Sequence, residues 1–354
     1  MRKPVGEPAT RRWTLPARGP STVSSKHVFL LGVFSLGACG LLTTGEFGFR
    51  TLGKRPHRIG LRAHNYIRSI AFHGNTLFAA DSNGSIRIWD SRSRHLQGTL
   101  GGGARELCCV TPAPDGLTLV SGGDDRLIRE WDLRTMRIRR VLQGHSDRVT
   151  SVAISPDERT LASGDDAGHL RLWDLESGGV QLDQVCHIGG VTSVAFSPDG
   201  HTLASSGRDN VAKIWDLLTG RMRTELRGHS DVVFRVGFHR GGRLLVTSSM
   251  DGTVRLWDLD KPQQPKIFET GLDAVYAVDF SPTDPIVVAT GCRGMVIIWN
   301  HETGERLKVL RFGEEFFCSL AFSTNGRILA VGTSDELIFL VGIPVDLGER
   351  KSLP

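Results

Sequence analysis

The 354-residue sequence lacks the short motifs by which metalloproteins and nucleotide-binding enzymes are recognised. Its six cysteines include no C-x-x-C pair, and its 12 histidines include no H-E-x-x-H. The Gly101-Gly102-Gly103 run lacks the Lys-Ser or Lys-Thr of a phosphate-binding loop. The adjacent Cys108 and Cys109 would point to opposite faces of a strand, which favours small core residues over a redox pair. The sequence therefore predicts no metal site and no cofactor.

Helical periodicity is also lacking. No window of the sequence sustains the 3.6-residue apolar spacing of an amphipathic helix. The elements of the fold are therefore expected to be strands.

A basic surface for nucleic acid is absent from most of the chain. The formal net charge is +5, but residues 1–60 hold ten of the 43 Lys and Arg residues and only two of the 38 acids. The rest of the chain is therefore slightly acidic, and the high isoelectric point comes from the N-terminal segment. We expect no nucleic-acid partner.

What the sequence does contain is a tryptophan every 42 residues. The six occurrences are Trp89-Asp90, Trp131-Asp132, Trp173-Asp174, Trp215-Asp216, Trp257-Asp258 and Trp299-Asn300. One more step of the same length leads to Val341-Gly342, at the end of another apolar run. A fixed period in this range indicates one supersecondary unit that is copied along the chain.

Each copy contains four short apolar runs that are separated by turns. In the copy that begins at Val191, a run over 191–196 is followed by the turn sequence Ser197-Pro198-Asp199-Gly200. Further runs follow around 203–206, 211–215 and 221–226. Four runs at this spacing predict a four-stranded antiparallel meander.

Sheets of this kind bury both faces when they stack around an axis and close into a ring. Three-strand cores that end at residues 90, 132, 174, 216, 258, 300 and 342 give seven such sheets. The last core has little convincing fourth strand after it, whereas the segment 56–62 precedes the first core. We therefore predict an all-β, seven-bladed β-propeller of four-stranded antiparallel blades over 57–345, with the ring closed by an N-terminal strand and a C-terminal tail over 346–354.

The repeat resembles that of the WD-repeat β-propeller family. Gly144-His145 and Gly228-His229 match its Gly-His motif, Ser-Pro-Asp-Gly stands in the middle of the unit, and Trp-Asp ends it. The resemblance implies a non-catalytic scaffold, in the form of a monomeric propeller, that binds a protein or peptide partner. The binding face would be formed by the loops before each inner strand and by the turns between second and third strands.

Two repeats contain a set of side chains that invites interpretation as a catalytic triad. The sets are His187, Ser205, Asp209 and Trp215 in one repeat and His229, Thr247, Asp251 and Trp257 in the next. A catalytic constellation is needed once, whereas this one recurs. The family resemblance implies a structural hydrogen-bond network in which Asp orients His and a hydroxyl links His to the indole. We therefore predict no catalytic residue and no enzyme.

The positions on the predicted binding face are uneven in chemistry. Blades two to four carry charged residues such as Glu106, Asp124, Arg148 and Asp166, whereas the other blades carry large apolar residues. The predicted partner-binding residues are Tyr66, Arg68, Val232, Phe234, Met250, Tyr276 and Phe316. Exposed aromatic and Met patches beside a polar rim are typical of interface hot spots. The alternative is that some of these residues pack into the channel or under loops.

A second function stays open at this stage, namely an enzyme or small-ligand-binding propeller that uses the central channel. It would require a unique polar cluster or a set of metal ligands at one end of the channel. The sequence alone points to neither.

The first 56 residues form a basic leader with an apolar run over 28–42. The run is short for a membrane span and matches the apolar region of a signal peptide in length. The tetrapeptide that ends at Cys39 resembles a lipoprotein cleavage site, with Cys39 as the lipidated residue. The long stretch before the run and the unpaired cysteines speak against export. Export or membrane anchoring through 28–42 and a cytoplasmic location with a disordered leader or a mis-assigned start both stay open.

Overall fold

The computed structural model describes residues 57–60, 66–101, 105–313, 316–334 and 337–343, with the backbone alone over 57–60. The predictions for the leader over 1–56, including the run 28–42 and Cys39, and for the tail over 346–354 lie outside the described residues. Among the described residues, no helix has the length and apolar character that a membrane span needs.

The described residues form 28 strands in seven antiparallel four-stranded sheets, which are numbered here as blades. The N-terminal strand β1 (His57–Gly60) belongs to blade 7. Blade 1 contains β2 (Ile67–His73), β3 (Thr76–Asp81), β4 (Ser85–Asp90) and β5 (Leu96–Gly101). Blade 2 contains β6 (Leu107–Pro112), β7 (Thr118–Gly123), β8 (Ile128–Asp132) and β9 (Arg137–Leu142). Blade 3 contains β10 (Val149–Ile154), β11 (Thr160–Asp165), β12 (His169–Asp174) and β13 (Val180–Val185).

The remaining blades follow the same order. Blade 4 contains β14 (Val191–Phe196), β15 (Thr202–Gly207), β16 (Ala212–Asp216) and β17 (Arg221–Leu226). Blade 5 contains β18 (Val233–Phe238), β19 (Leu244–Ser249), β20 (Thr253–Asp258) and β21 (Lys266–Glu269). Blade 6 contains β22 (Val275–Phe280), β23 (Ile286–Gly291), β24 (Met295–Asn300) and β25 (Arg306–Arg311). Blade 7 adds β26 (Phe317–Phe322), β27 (Ile328–Thr333) and β28 (Leu337–Gly342) to β1.

The turn chemistry of the repeat explains the tight connection between first and second strands. In blade 4 the hydroxyl of Ser197 accepts from the amide of Thr202 at 2.9 Å and donates to Asp199. The amide of Gly200 donates to the carbonyl of Ser197 at 2.9 Å, and Gly200 has a φ of +73°. A positive φ of this size favours glycine, so Gly200 lets the chain reverse without strain.

The core lies between the blades rather than within any one of them. Trp173 of blade 3, for example, is buried against Val120, Ile128 and Leu142 of blade 2. The innermost strands contact one another in ring order, and β26 of the last blade contacts β2 of the first. The predicted all-β, seven-bladed propeller of four-stranded antiparallel blades is therefore confirmed.

The last blade combines strands from both ends of the described chain. In the structure, β1 lies antiparallel to β28, with His57 opposite Leu340 and Gly60 opposite Leu337. The sequence predicts this pairing, because the last three-strand core has no convincing fourth strand after it and the segment 56–62 precedes the first core. That ring closure depends on β1 stays a prediction, for which a truncation experiment is given in the Discussion.

Candidate functional site

The set of residues in blade 4 forms a chain of hydrogen bonds. His187 lies with Nδ1 2.8 Å from Oδ1 of Asp209 and with Nε2 2.8 Å from Oγ of Ser205. The indole N–H of Trp215 donates to the same Ser205 oxygen at 2.9 Å. Blade 5 repeats the chain with His229, Asp251, Thr247 and Trp257 over distances of 2.7–2.9 Å.

Blade 3 contains a third complete set, so the count of two was wrong. His145 lies 2.8 Å from Asp165 and 2.6 Å from Ser163, and Trp173 donates to Ser163 at 2.8 Å. The set was missed because Asp165 stands two residues earlier in its blade than Asp209 does in blade 4. The Gly144-His145 motif and the serine ten residues before Trp173 were the available signals.

The electrostatics of these sets favour an ionised aspartate. Burial acts to raise the pKa of Asp209, but the hydrogen bond from His187 lowers it below its ordinary value. The same balance holds for Asp165 with His145 and for Asp251 with His229. Each set satisfies a buried indole N–H and a buried imidazole, which otherwise carry an energetic penalty. A structural role for all three sets stays our prediction.

The face formed by the loops before the inner strands carries a chain of paired charges across blades 1 to 4. Arg68 donates through Nε to Glu106 at 2.8 Å, and its guanidinium lies 4.8 Å from the centre of the Tyr66 ring. Arg148 donates to Asp166 at 2.8 Å, and Arg208 donates to the other oxygen of Asp166 at 2.7 Å. We call the residues Tyr66, Arg68, Glu106, Arg148, Asp166 and Arg208 the charged sector.

Neighbouring blades share these ion pairs. Arg148 of blade 3 lies 3.9 Å from Glu106 of blade 2, which in turn binds Arg68 of blade 1. Tyr66, one of the predicted partner-binding residues, donates its hydroxyl to Glu106 at 3.4 Å. Three arginines share two carboxylates, so most of the charge of the sector is compensated within it.

The other half of the face carries large apolar side chains, as the sequence distribution indicates. Phe234 of blade 5 contacts Tyr276 of blade 6, with ring centres 5.2 Å apart and an interplanar angle of 59°. Val232 and Met250 of blade 5 are half-buried, as are Phe234 and Tyr276, whereas Phe316 of blade 7 is 46% exposed. We call the residues Val232, Phe234, Met250, Tyr276 and Phe316 the apolar sector.

Burial differs within the predicted set of partner-binding residues. Phe316 and Tyr66, which is 39% exposed, present large surfaces to solvent. The half-buried Tyr276 has its pKa raised to about 12 by burial, so its hydroxyl stays protonated near neutral pH. Half-burial means that Phe234 and Tyr276 pack against each other and that each keeps part of its ring accessible to solvent.

The inner strands around the propeller axis carry two charges that we did not recognise in the sequence. Arg235 lies on β18 and Asp279 lies on β22, in adjacent blades. Burial lowers the pKa of Arg235 and raises the pKa of Asp279 to about 6, while each charge opposes the shift of the other. The expectation that no polar cluster converges on one end of the channel stays a prediction, but it overlooked this pair of inner-strand charges. Its sequence signal is the presence of Arg and Asp at inner-strand positions where other blades have small residues.

In the part of the chain that the structure describes, no group of three or more His, Cys, Asp or Glu side chains is placed so that it could hold a metal ion.

Comparison with known proteins shows to which family the repeats belong. The family model described as WD domain, G-beta repeat matches six segments, residues 54–90, 94–132, 136–174, 180–216, 220–258 and 264–300. Each segment ends at the Trp-Asp or Trp-Asn pair of a blade, so the first six blades are matched. A search of curated proteins finds no match to the chain.

Proposed function

We propose that this chain, which belongs to the WD-repeat family, is a non-catalytic scaffold that binds a protein or peptide partner on one face of its propeller. Propellers of this family are typically platforms for protein interaction. The face in question is the one formed by the loops before the inner strands. The scaffold acts as a monomeric propeller, and only the leader over 1–56 would bring it to a membrane.

The observation that carries the proposal is the exposed aromatic surface of the apolar sector. Phe316 is 46% exposed, and it belongs to blade 7, between Tyr276 of blade 6 and Tyr66 of blade 1. Aromatic residues are enriched among the hot spots of interfaces, where a few anchors supply most of the affinity. A partner that covers Phe316 would remove this apolar surface from water and gain affinity from its burial.

The charged sector supports the proposal in a different way. Its arginines already bind Glu106 and Asp166, so they form a rigid polar rim beside the apolar sector. A polar rim around an apolar centre is the usual anatomy of a protein interface. The rim would fix the orientation of a partner, while the aromatic side chains would supply affinity.

The proposal is tested by Phe316→Ala in the full-length chain. Partners are first identified by proximity labelling with the intact protein, and their affinity for the purified variant is then measured. Loss of one aromatic anchor is expected to weaken binding about 30-fold, which corresponds to about 2 kcal/mol. The melting temperature should change little, because Phe316 is largely exposed.

The matched control is Leu218→Ala, which removes an apolar side chain that is 92% exposed in the turn between third and fourth strands of blade 4, on the opposite face. This variant should bind as the unchanged protein does. The double variant Phe234→Ala with Tyr276→Ala should weaken binding about 10²–10³-fold.

Unchanged binding by both Phe316→Ala and the double variant would reject the apolar sector. The charged residues Glu106, Asp124, Arg148 and Asp166 would then become the better candidates, and Arg148→Ala would test them. A double variant that fails to fold reports only on the packing of Phe234 against Tyr276, and the affinity of Phe316→Ala then decides.

A further inference from the structure

The inner strands place two layers of equivalent positions around the propeller axis. In the first layer, two residues after the start of each inner strand, blades 1, 3, 4 and 7 carry Ser69, Ser151, Ser193 and Ser319. Blades 2 and 6 carry Cys and Ala, and Arg235 of blade 5 is the one charged member. The second layer, two residues further along, contains Ala, Gly and Thr in six blades and Asp279 in blade 6.

Hydrogen bonds show that the first layer lies beside the axis. The hydroxyl of Ser69 accepts from the amide of Val110 on the inner strand of the next blade, and Ser151 does the same with Val194. These positions therefore lie at the seams between adjacent inner strands. Small side chains there occupy little of the middle of the ring, and Arg235 is the one long side chain among them.

The charge of Arg235 acts on groups on both sides of the ring. It lowers the pKa of Asp279 on the neighbouring blade 6, against the rise that burial causes. It also lowers the pKa of the buried Cys109 on blade 2, again against burial. Blade 2 is three blades away from blade 5 around the ring. All three residues lie on inner strands, so the middle of the ring is where their side chains come within electrostatic range of one another.

The guanidinium makes no ion pair or hydrogen bond with any residue that the structure describes. Asp279 lies on β22, the inner strand of the neighbouring blade 6. Its Oδ1 accepts a hydrogen bond from the amide of Phe280 at 2.9 Å. The ring encloses Arg235 enough to desolvate it, yet the side chain keeps part of its surface accessible, as expected in an open channel. An enclosed guanidinium whose N–H groups have no acceptor is energetically costly, so such a group is normally hydrogen-bonded.

A guanidinium has a strong preference among ligands. Its planar fork of N–H groups matches the two oxygens of a carboxylate or a phosphate, which it binds with two parallel hydrogen bonds. The neighbouring hydroxyl groups of the first layer can donate to such a ligand. A protonated Asp279 can donate as well, and its neutral form would not repel a negative charge.

We propose that the central channel binds a small oxyanion, a phosphate or a carboxylate, through the guanidinium of Arg235. The site is separate from the partner-binding face and does not depend on the function proposed for that face. A free anion or an anionic group at the end of a larger ligand would have the same chemistry at this position.

The test titrates the full-length chain with sodium phosphate and, in a second arm, with sodium acetate, against sodium chloride of equal ionic strength. Binding is followed by calorimetry and by the melting temperature. Arg235→Gln is expected to weaken the binding of the effective anion at least about tenfold, because it removes charge-assisted hydrogen bonds. Arg235→Lys should keep part of the affinity, since it keeps the charge and loses the fork.

Two further variants make the result specific to the channel. Arg227→Gln removes an exposed arginine on the outside of the propeller and should leave anion affinity unchanged. Asp279→Asn removes the competing negative charge and keeps a donor, so at pH 7.5 it should bind the anion more tightly than the unchanged chain. This variant and Arg235→Lys keep the test decisive if Arg235→Gln does not fold.

A response to phosphate alone assigns a phosphate ligand, and a response to acetate alone assigns a carboxylate. Equal responses of the unchanged chain to both salts and to chloride would overturn the proposal. It would also be overturned if Arg235→Gln bound the anion as tightly as the unchanged chain, or if Asp279→Asn bound it less tightly. In the last case Arg235 and Asp279 would be a structural pair of charges.

Discussion

Blades 3 to 5 differ from blades 7 and 1 in how they stabilise the same four-stranded sheet. The first group contains complete chains of Asp, His, hydroxyl and Trp, of which Asp209, His187, Ser205 and Trp215 are one. The second group, which contains the two ends of the ring, has no such complete chain among its described residues. The shape of a blade is therefore compatible with two different kinds of interior.

Blade 7 replaces the polar chain with aromatic packing. Val341 stands where the other six blades have tryptophan, and Val331 stands where blades 2 to 5 have serine or threonine. Phe312, Phe317 and Phe339 pack together instead, with ring centres 4.8–5.8 Å apart. Contacts of this kind contribute about 0.5–1.5 kcal/mol per aromatic pair beyond the burial of area.

Blade 1 has the tryptophan of the repeat but lacks the hydroxyl that accepts a hydrogen bond from its indole N–H. Trp89 is buried, but Ala79 stands where blades 2 to 5 carry a hydroxyl. The indole N–H of Trp89 consequently has no hydrogen-bond partner among the described residues. Apolar packing between blades is therefore sufficient to build the sheet. The polar chain adds local stability where its members are all present.

The largest effect is expected from removing the strand that completes blade 7. Deletion of residues 1–50 should leave the melting temperature nearly unchanged, whereas deletion through Leu61 should lower it sharply. The longer deletion removes β1, which pairs with β28 over four residues, and exposes the backbone and buried side chains of β28. Unpaired backbone groups and lost burial both destabilise the fold.

Equal melting temperatures for the two truncations would show that the ring does not depend on β1. Circular dichroism of both proteins is the control, because a truncation that unfolds the whole propeller should lose its strand signal together with its cooperative transition.

A smaller effect is expected when one polar chain is broken at its carboxylate. Asp251→Asn in blade 5 removes the charge that His229 and Thr253 bind, and charged hydrogen bonds of this kind contribute about 1.5–3 kcal/mol. The free energy of unfolding at pH 7 should fall by that amount. Asp231→Asn, on an exposed loop of the same blade, is the matched control and should change it little.

The sign of the pH dependence follows from the direction of the pKa shift. Burial acts to raise the pKa of Asp251, but hydrogen bonds from His229 and Thr253 lower it well below the ordinary value of 3.8. The stabilisation is therefore present above that value and is lost as the pH falls towards the pKa of the folded state. The difference between Asp251→Asn and the unchanged chain should narrow between about pH 5 and pH 2. A constant difference would mean that the charge of Asp251 contributes nothing.

The repeat alone predicts most of the fold and only part of the site. The period of 42, the turn Ser197-Pro198-Asp199-Gly200 and the Trp-Asp pairs are local signals, and they predict the number of blades and the strand order. The third polar chain was missed because its carboxylate, Asp165, reaches the same imidazole position from the end of β11, whereas Asp209 and Asp251 lie in the turn that follows the strand.

Tertiary placement explains the other misses. Whether Phe234 is exposed depends on Tyr276, which is 42 residues away and contacts it only in the assembled ring. Arg235 and Asp279 likewise influence each other only when their two inner strands lie side by side. A sequence pattern gives the face on which a residue lies, but the degree of burial follows from neighbours that belong to another blade.

The smallest effect is expected from repairing the blade that lacks an acceptor. Ala79→Ser in blade 1 places a hydroxyl at the position that Ser121 occupies in blade 2, where it accepts from the indole of Trp131 at 2.9 Å. The new hydroxyl would accept from the buried N–H of Trp89. Satisfying one buried donor should raise the free energy of unfolding by about 1 kcal/mol, as measured by denaturant titration. The reciprocal change Ser121→Ala should lower it by about 1–3 kcal/mol, because it leaves the Trp131 donor buried and unpaired. If Ala79→Ser proved neutral or destabilising while Ser121→Ala behaved as expected, the interior of blade 1 would be too tightly packed for an added oxygen atom. The difference between the blades would then lie in packing and not in a missing hydrogen bond.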